Sequence, residues 1–220
     1  MKTIVSTSNK YLHLIPVFTY LFNKYWDSSQ PVEIVGYDAP KCDLPANFTF
    51  HSMGTQGPVN EWSTDLRKYF ESQDDWFIWL MEDTFIKSFD EGKMWFAYAM
   101  MMPEVGRIGL TKDIVNRPHD LDNGVAWARR GTMYRQSTQP SIWNKQFLLK
   151  YLVDGLTPWE FELQQTNDDF HVCGLVDYPV RHNEGTRKTN NNKIDLNGFT
   201  QEDFDYISKL PYLTIEGSAK

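Results

Sequence analysis

The chain has 220 residues, 41% of them hydrophobic and 15% aromatic, which is enough for one domain with a full core. Its net charge of −7 excludes a general electrostatic attraction to nucleic acid. Two cysteines without CxxC spacing, Cys42 and Cys173, make neither a metal motif nor a disulfide framework, and they suit a reduced, cytoplasmic setting.

No long apolar region follows Met1-Lys2-Thr3, so no signal peptide is expected. No window reaches the length of a membrane span, so no integral membrane segment is expected, and a peripheral membrane visit stays open. The many aromatic rings suit a core, and equally a platform for sugars or bases.

In chain order, Ile4-Val5 reads as a first strand and Ser6-Thr7-Ser8-Asn9 as a polar turn. The hydroxyls there suit a bound nucleotide or a helix cap. A helix is predicted over Leu14–Trp26, with Ile15, Phe18, Phe22 and Tyr25 on one face and Pro16 in its first turn. Pro31–Gly36 is a second strand with Asp38 just past its end, and Phe48–Met53 is a third. Val59, Trp62, Leu66 and Tyr69 then recur at helical spacing.

Trp76–Met81 is a six-residue apolar run, too short for a buried helix and rich in aromatic rings. It reads as a strand buried on both faces. Glu82 and Asp83 follow at once. Two carboxylates at the carboxyl end of an inner strand are costly unless they face a crevice, a cation or a ligand, and open α/β sheets bind ligands at that edge. A solvated turn is the plainer reading. The order β-α-β-β-α-β argues for a largely parallel sheet, as in a nucleotide-binding half.

Beyond this strand a helix is predicted over Ser88–Met102 and a strand over Val105–Leu110. Thr111–Tyr134 reads as loops and short strands. Gln139-Pro140-Ser141 leads into a helix near Asn144–Val153. In Thr157-Pro158-Trp159-Glu160-Phe161-Glu162, threonine, proline and the first glutamate suit the cap, the first and the third helical positions. That gives Glu160 a structural task. Glu162, about 200° further round the helix, has none. Strands follow at Phe170–Val176 and Tyr178–Arg181, then a basic Asn-rich loop over Arg181–Lys193, then a short helix capped at Thr200.

The strand-STSN-helix start, Trp62-Ser63, the WLMED strand end, QPSIW and TPWEFE occur in this order from Thr3 to about Asn183. Together they resemble GT-A-type glycosyltransferases, especially bacterial and phage enzymes that build surface polysaccharides. The resemblance implies an α/β fold, a single GT-A-like domain over 1–220 with a mostly parallel central sheet flanked by helices. Its half 1–110 would bind the nucleotide sugar, and its half 111–220 would serve the acceptor and catalysis. It places Thr7, Ser8, Asp38, Trp62, Ser63 and Glu82 at the nucleotide sugar, with Gln139 and Trp143 shaping the sugar pocket. Thr7 and Ser8 also suit caps, Asp38 a turn, and Trp62 the core.

The family's DxD motif holds a divalent metal, Mn²⁺ or Mg²⁺, on the donor diphosphate. Here the triplet is Glu82-Asp83-Thr84, so the missing carboxylate either removes that ligation or shifts it to Asp83. His182 is the counterpart of the family's late metal histidine, or a plain loop residue. Arg129, Arg130, Arg181, Arg187 and Lys188 are the cations available to the diphosphate, or a solvated charge run.

The implied activity is transfer of a sugar from a nucleotide sugar, by default a UDP-hexose, to a hydroxyl of a glycan or oligosaccharide acceptor. The family's inversion of configuration makes Glu162 the general base. A sugar nucleotidyltransferase and a non-catalytic glycan- or nucleotide-binding module remain open beside it. GxxxxGK[ST], GxGxxG and GxSxG are all absent, which disfavours a P-loop kinase, an NAD enzyme and a serine hydrolase.

Overall fold

The computed structural model describes residues 1–185, 194–210 and 215–216. In chain order the elements are β1 (Thr3–Ser6), α1 (Ile15–Phe22), β2 (Val32–Gly36), β3 (Phe48–Ser52), α2 (Trp62–Glu71), β4 (Trp76–Met81), β5 (Thr84–Phe89) and α3 (Glu91–Ala99). There follow β6 (Val105–Gly109), β7 (His119–Asp122), β8 (Val125–Ala128), β9 (Ser141–Asn144), α4 (Lys145–Tyr151), α5 (Pro158–Leu163), β10 (His171–Leu175), β11 (Val180–Glu184) and α6 (Gln201–Ile207).

Nine strands form one sheet in the order β3-β2-β1-β4-β9-β6-β10-β8-β7. The four strands from β3 to β4 run parallel, with Ser6 beside Met81 and beside Val35. Their carboxyl ends therefore finish on one edge, where open sheets of this kind take ligands. This is an α/β layout with a parallel N-terminal half inside a helix-covered sheet, as the sequence reading expects. β9 is antiparallel to both of its neighbours, β4 and β6. β10 returns to parallel pairing with β6.

Both faces of the sheet are covered. Ile78 and Leu80 join a core with α1, α3 and α6, through Phe18, Met94 and Ile207. Phe77 and Trp79 point the other way, into a core with α2, α4 and α5 through Phe70, Phe147 and Phe161. Alternation along an inner strand sends successive apolar side chains to opposite layers, so β4 is apolar throughout. Trp79 packs 5.1 Å from Phe70 and 5.5 Å from Trp143, ring centre to ring centre, and its indole N–H donates to Ser6 Oγ at 2.8 Å.

Several elements differ from the sequence reading. Ser141–Asn144 is a central strand rather than the lead-in to a helix. Four buried residues carry no alternation, so their period is silent. The helix begins only at Lys145, capped by the Asn144 side chain. Thr84–Phe89 is a strand, and the helix predicted from Ser88 starts at Glu91 behind an Asp90 cap. The stretch left as loops and short strands holds a hairpin, β7–β8. Its turn is Asn123-Gly124, with φ of 48° and 79°, the left-handed pair that a two-residue hairpin demands.

α6 is tied to α1 through Asp203, which is fully buried. Lys24 Nζ donates to Oδ1 at 2.7 Å, Tyr20 OH donates to Oδ1 at 3.1 Å, and Tyr25 OH and Thr200 Oγ1 donate to Oδ2 at 2.5 and 2.7 Å. Burial alone would raise this carboxyl, but the bonds from Lys24, Thr200 and Tyr25 outweigh it and hold it at about 2. A carboxyl depressed by folding adds stability above its unfolded value, and that stability is lost as pH falls toward 2. Asp203→Asn is expected to cost about 2 to 3 kcal/mol at neutral pH, since Lys24 loses its buried partner. It is also expected to flatten the fall in stability between pH 4 and 2. Urea midpoints measured across that range for both proteins check this, and parallel curves would refute it.

Candidate active site

The carboxyl edge of the parallel strands opens into a cleft of about 1030 Å³. The turn after β1 contributes Thr7 and Ser8, the turn after β4 Glu82 and Asp83, and the start of α2 Trp62. From the C-terminal half come Gln139, from α5 Glu162, and from β11 His182. Eight of the ten residues singled out in the sequence thus line one cleft, although they lie up to 175 positions apart (Thr7 to His182).

Two do not line it. Ser63 is fully buried, and its hydroxyl accepts the Leu156 N–H at 2.7 Å, which joins α2 to the segment before α5. Its neighbour Trp62 faces the cleft because the first turn of a helix turns successive residues about 100° apart. Asp38 is exposed and clasped by Asn9: Asn9 Nδ2 donates to Oδ2 at 2.8 Å, and Asp38 N–H donates to Asn9 Oδ1 at 3.0 Å. Tyr37, one residue earlier, lines the cleft instead. Trp143, read as part of the sugar pocket, lies wholly in the core on β9.

Glu82 is 3% exposed, and its Oε2 has no hydrogen-bond partner. Burial first, and the Asp83 charge second, raise it well above the ordinary carboxylate range. Asp83 is half-buried. Burial and the charges of Glu184 and Glu162 raise it to about 7, against a smaller lowering from its own backbone N–H. The sequence reading missed Glu184. It stands two residues beyond His182 on β11, and β11 pairs antiparallel with β5 so that Glu184 lies opposite Thr84. Gly185 N–H then donates to Asp83 O at 2.6 Å, which closes the strand over the acidic turn. Spacing of two along a strand was the available signal, but the strand was read as ending at Arg181.

Glu162 is held from across the cleft. Thr138 donates through both its N–H and its Oγ1 to Glu162 Oε1, each at 2.7 Å. Oε2 takes neither bond. Glu160 completes the capping box: Thr157 N–H donates to Glu160 Oε2 at 2.8 Å, and Glu160 N–H to Thr157 Oγ1 at 3.2 Å. The two glutamates thus divide as their helical positions require.

Thr138 is positioned in turn by a buried guanidinium. Arg107 on β6 donates to Ser141 Oγ at 2.8 Å, to the carbonyls of Tyr134 and Arg135 at 3.4 and 3.2 Å, and to Asp113 Oδ2 at 2.8 Å. The segment carrying Thr138 and Gln139 is anchored at its start and at its end by one side chain.

Among the described residues, no three His, Cys, Asp or Glu side chains converge closely enough to hold a metal ion by themselves. The donor set still suits Mn²⁺ or Mg²⁺ in kind. Carboxylates crowd one end of the cleft, and Glu82 Oε2 lies buried and unpartnered there. Such ions are commonly held by one or two carboxylates with substrate phosphates completing the shell. Of the cations considered for the diphosphate, Arg129 pairs with Asp120, Arg130 with Asp169, and Arg181 lies over the Tyr178 ring; none of them lines the cleft. Arg187 and Lys188 lie outside the described residues. Lys10 does line it.

No helix among the described residues is long and apolar enough to cross a membrane. No protein-family model matches the sequence, and no curated protein sequence matches it significantly. Among solved structures, the galactosyltransferase LgtC in complex with donor and acceptor sugar analogues is similar to it with 10% identity and a TM-score of 0.44, over 68% of this chain and 60% of that one. An active-site mutant of LgtC matches with 9% identity and the same TM-score, over 68% and 59%. The chain spans about three-fifths of the length of these structures, and at these values neither assigns a role to any residue here.

Proposed function

We propose that this protein is a glycosyltransferase that moves a sugar from a nucleotide sugar, by default a UDP-hexose, to a hydroxyl of a glycan acceptor with inversion. One observation carries the reading: the acidic strand end Glu82-Asp83 and the carboxylate of Glu162, from opposite halves of the sequence, line the same cleft. The donor's nucleotide lies along Thr7, Ser8, Tyr37 and Trp62, and its diphosphate lies toward Asp83. Glu162 Oε2 takes the proton of the acceptor hydroxyl as that oxygen bonds to the anomeric carbon. The bond from that carbon to the diphosphate oxygen breaks, and the nucleoside diphosphate leaves with the electron pair.

A divalent cation, Mn²⁺ or Mg²⁺, would be held by Asp83, with Glu184 or His182 of the same cleft as the candidates for a second protein ligand. When bound, it would neutralise the charge gathering on the leaving diphosphate. Asp83→Asn is expected to weaken UDP binding about tenfold or more in the presence of Mn²⁺ and to leave EDTA-treated binding unchanged. Calorimetric titration checks this; if neither EDTA nor the substitution alters affinity, the metal role is wrong.

The decisive assay offers the protein a panel of nucleotide sugars with mixed glycan acceptors and measures released nucleoside diphosphate. Release that depends on acceptor supports the transferase. Pyrophosphate release from a nucleoside triphosphate and a sugar phosphate would indicate a nucleotidyltransferase, and binding without turnover a lectin-like module.

A further inference from the structure

The cleft has two chemically distinct walls. One is acidic, with Glu82, Asp83, Glu162 and Glu184. The other is apolar, formed by Pro58, Val59, Trp62, Pro158 and Trp159. Trp62 is partly sunk in the core, 6.2 Å from the Trp79 ring and 5.9 Å from that of Phe161. Trp159 differs: it is 57% exposed, and Val59 in the same wall is 54% exposed. Trp159 keeps most of its indole in water at the wall of a cleft, and large exposed apolar side chains in such a place mark contact sites.

The position of Trp159 ties it to the chemistry. It stands three residues before Glu162 on α5, and residues so spaced share a helix face. The helix start is pinned by the Thr157–Glu160 capping box and its later turn by Thr138 on Glu162. The indole and the carboxylate are therefore carried by one anchored turn and a half of helix.

We propose that Trp159 is the platform for the acceptor, on which the terminal pyranose ring of a neutral hexose lies with its hydroxyl toward Glu162. The inference rests on the glycosyltransferase reading in calling that sugar the acceptor. A β-gluco or β-galacto pyranose has a flat face of axial C–H groups that matches an indole in size and apolarity, while its equatorial hydroxyls point outward to Thr138, Gln139 and water. Glu162, carried on the same helix face as the indole, disfavours an anionic sugar there, so the platform selects neutral rings.

The test uses the full chain with methyl β-D-glucopyranoside, methyl β-D-galactopyranoside and methyl β-D-glucuronide as probes in saturation-transfer NMR. The wild type is expected to saturate the axial C–H protons of the two neutral glycosides and to give a weaker signal with the glucuronide. Trp159→Ala is expected to lose that signal about tenfold, and Trp159→Phe to keep part of it. Because Trp159 is exposed, far-UV circular dichroism and melting of both variants should match the wild type. No signal from either neutral glycoside with the wild type, or a full signal with Trp159→Ala, overturns the proposal. Release of nucleoside diphosphate from UDP-hexoses separates the two readings. A wild type that binds pyranosides through Trp159 yet turns over no donor sinks the transferase and leaves a sugar platform. A wild type that transfers, with an unchanged acceptor KM in Trp159→Ala, sinks the platform alone.

Discussion

Glu162→Gln is expected to lower sugar transfer by about 10² to 10⁴-fold, the range that a positioned general base contributes. Glutamine has the same shape, and its amide oxygen can still accept both bonds from Thr138, so the side chain stays in place. What it cannot do is take the acceptor's proton. Donor binding should not weaken. The Glu162 charge is one of those that raise Asp83, so removing it lowers Asp83 and leaves more of it ionised near neutral pH. UDP affinity with Mn²⁺ is then expected to be equal or slightly tighter. Steady-state transfer and UDP titration on the same preparation check both halves. A fully active variant removes Glu162 from the chemistry, whereas loss of UDP affinity would make its role structural.

Arg107→Ala is expected to destabilise the fold by about 3 to 5 kcal/mol, against the 5 to 15 kcal/mol that a typical domain has in total. The guanidinium is fully buried and sits 5.4 Å from the Trp143 ring centre. Removing it takes a donor from Ser141, from the Tyr134 and Arg135 carbonyls and from Asp113, although Tyr134 O keeps the Ser137 N–H at 3.3 Å, and it opens a cavity between β6 and β9. Asp113 keeps Arg117 at 3.1 Å, which limits the loss of charge pairing. Arg107→Lys preserves charge but not the planar fork of donors, so it should recover only part of the stability. It should still perturb turnover, because the segment running from Tyr134 through Thr138 to Ser141 depends on that fork. Urea unfolding midpoints of the two variants decide the point, and an unchanged midpoint in Arg107→Ala would show that the network contributes nothing net.

The readable parts of the site were those with a local physical cause. Trp76–Met81 announces an inner strand because a strand packed on both faces has no polar phase, and the acidic pair stands out against it. Thr157, Pro158 and Glu160 spell a capping box, and by occupying one glutamate they single out the other. Pro16 marks the first turn of α1 for the same kind of reason, since proline lacks the N–H that only a first turn leaves spare.

What stayed hidden was non-local. Ser141–Asn144 is a strand because β4 and β6 leave a gap of one strand width between them, and nothing within those four residues says so. Glu184 enters the site only because β11 folds back on β5, and Ser63 leaves it because α2 turns that hydroxyl toward Leu156. The sequence by itself determined that Trp76–Met81 is an inner strand, that α5 starts behind Thr157, and which of Glu160 and Glu162 lacks a structural task, because capping and burial act over a few neighbours. Only the tertiary structure decided which of those carboxylates meet, because strand order and side-chain direction come from pairings between residues a hundred positions apart.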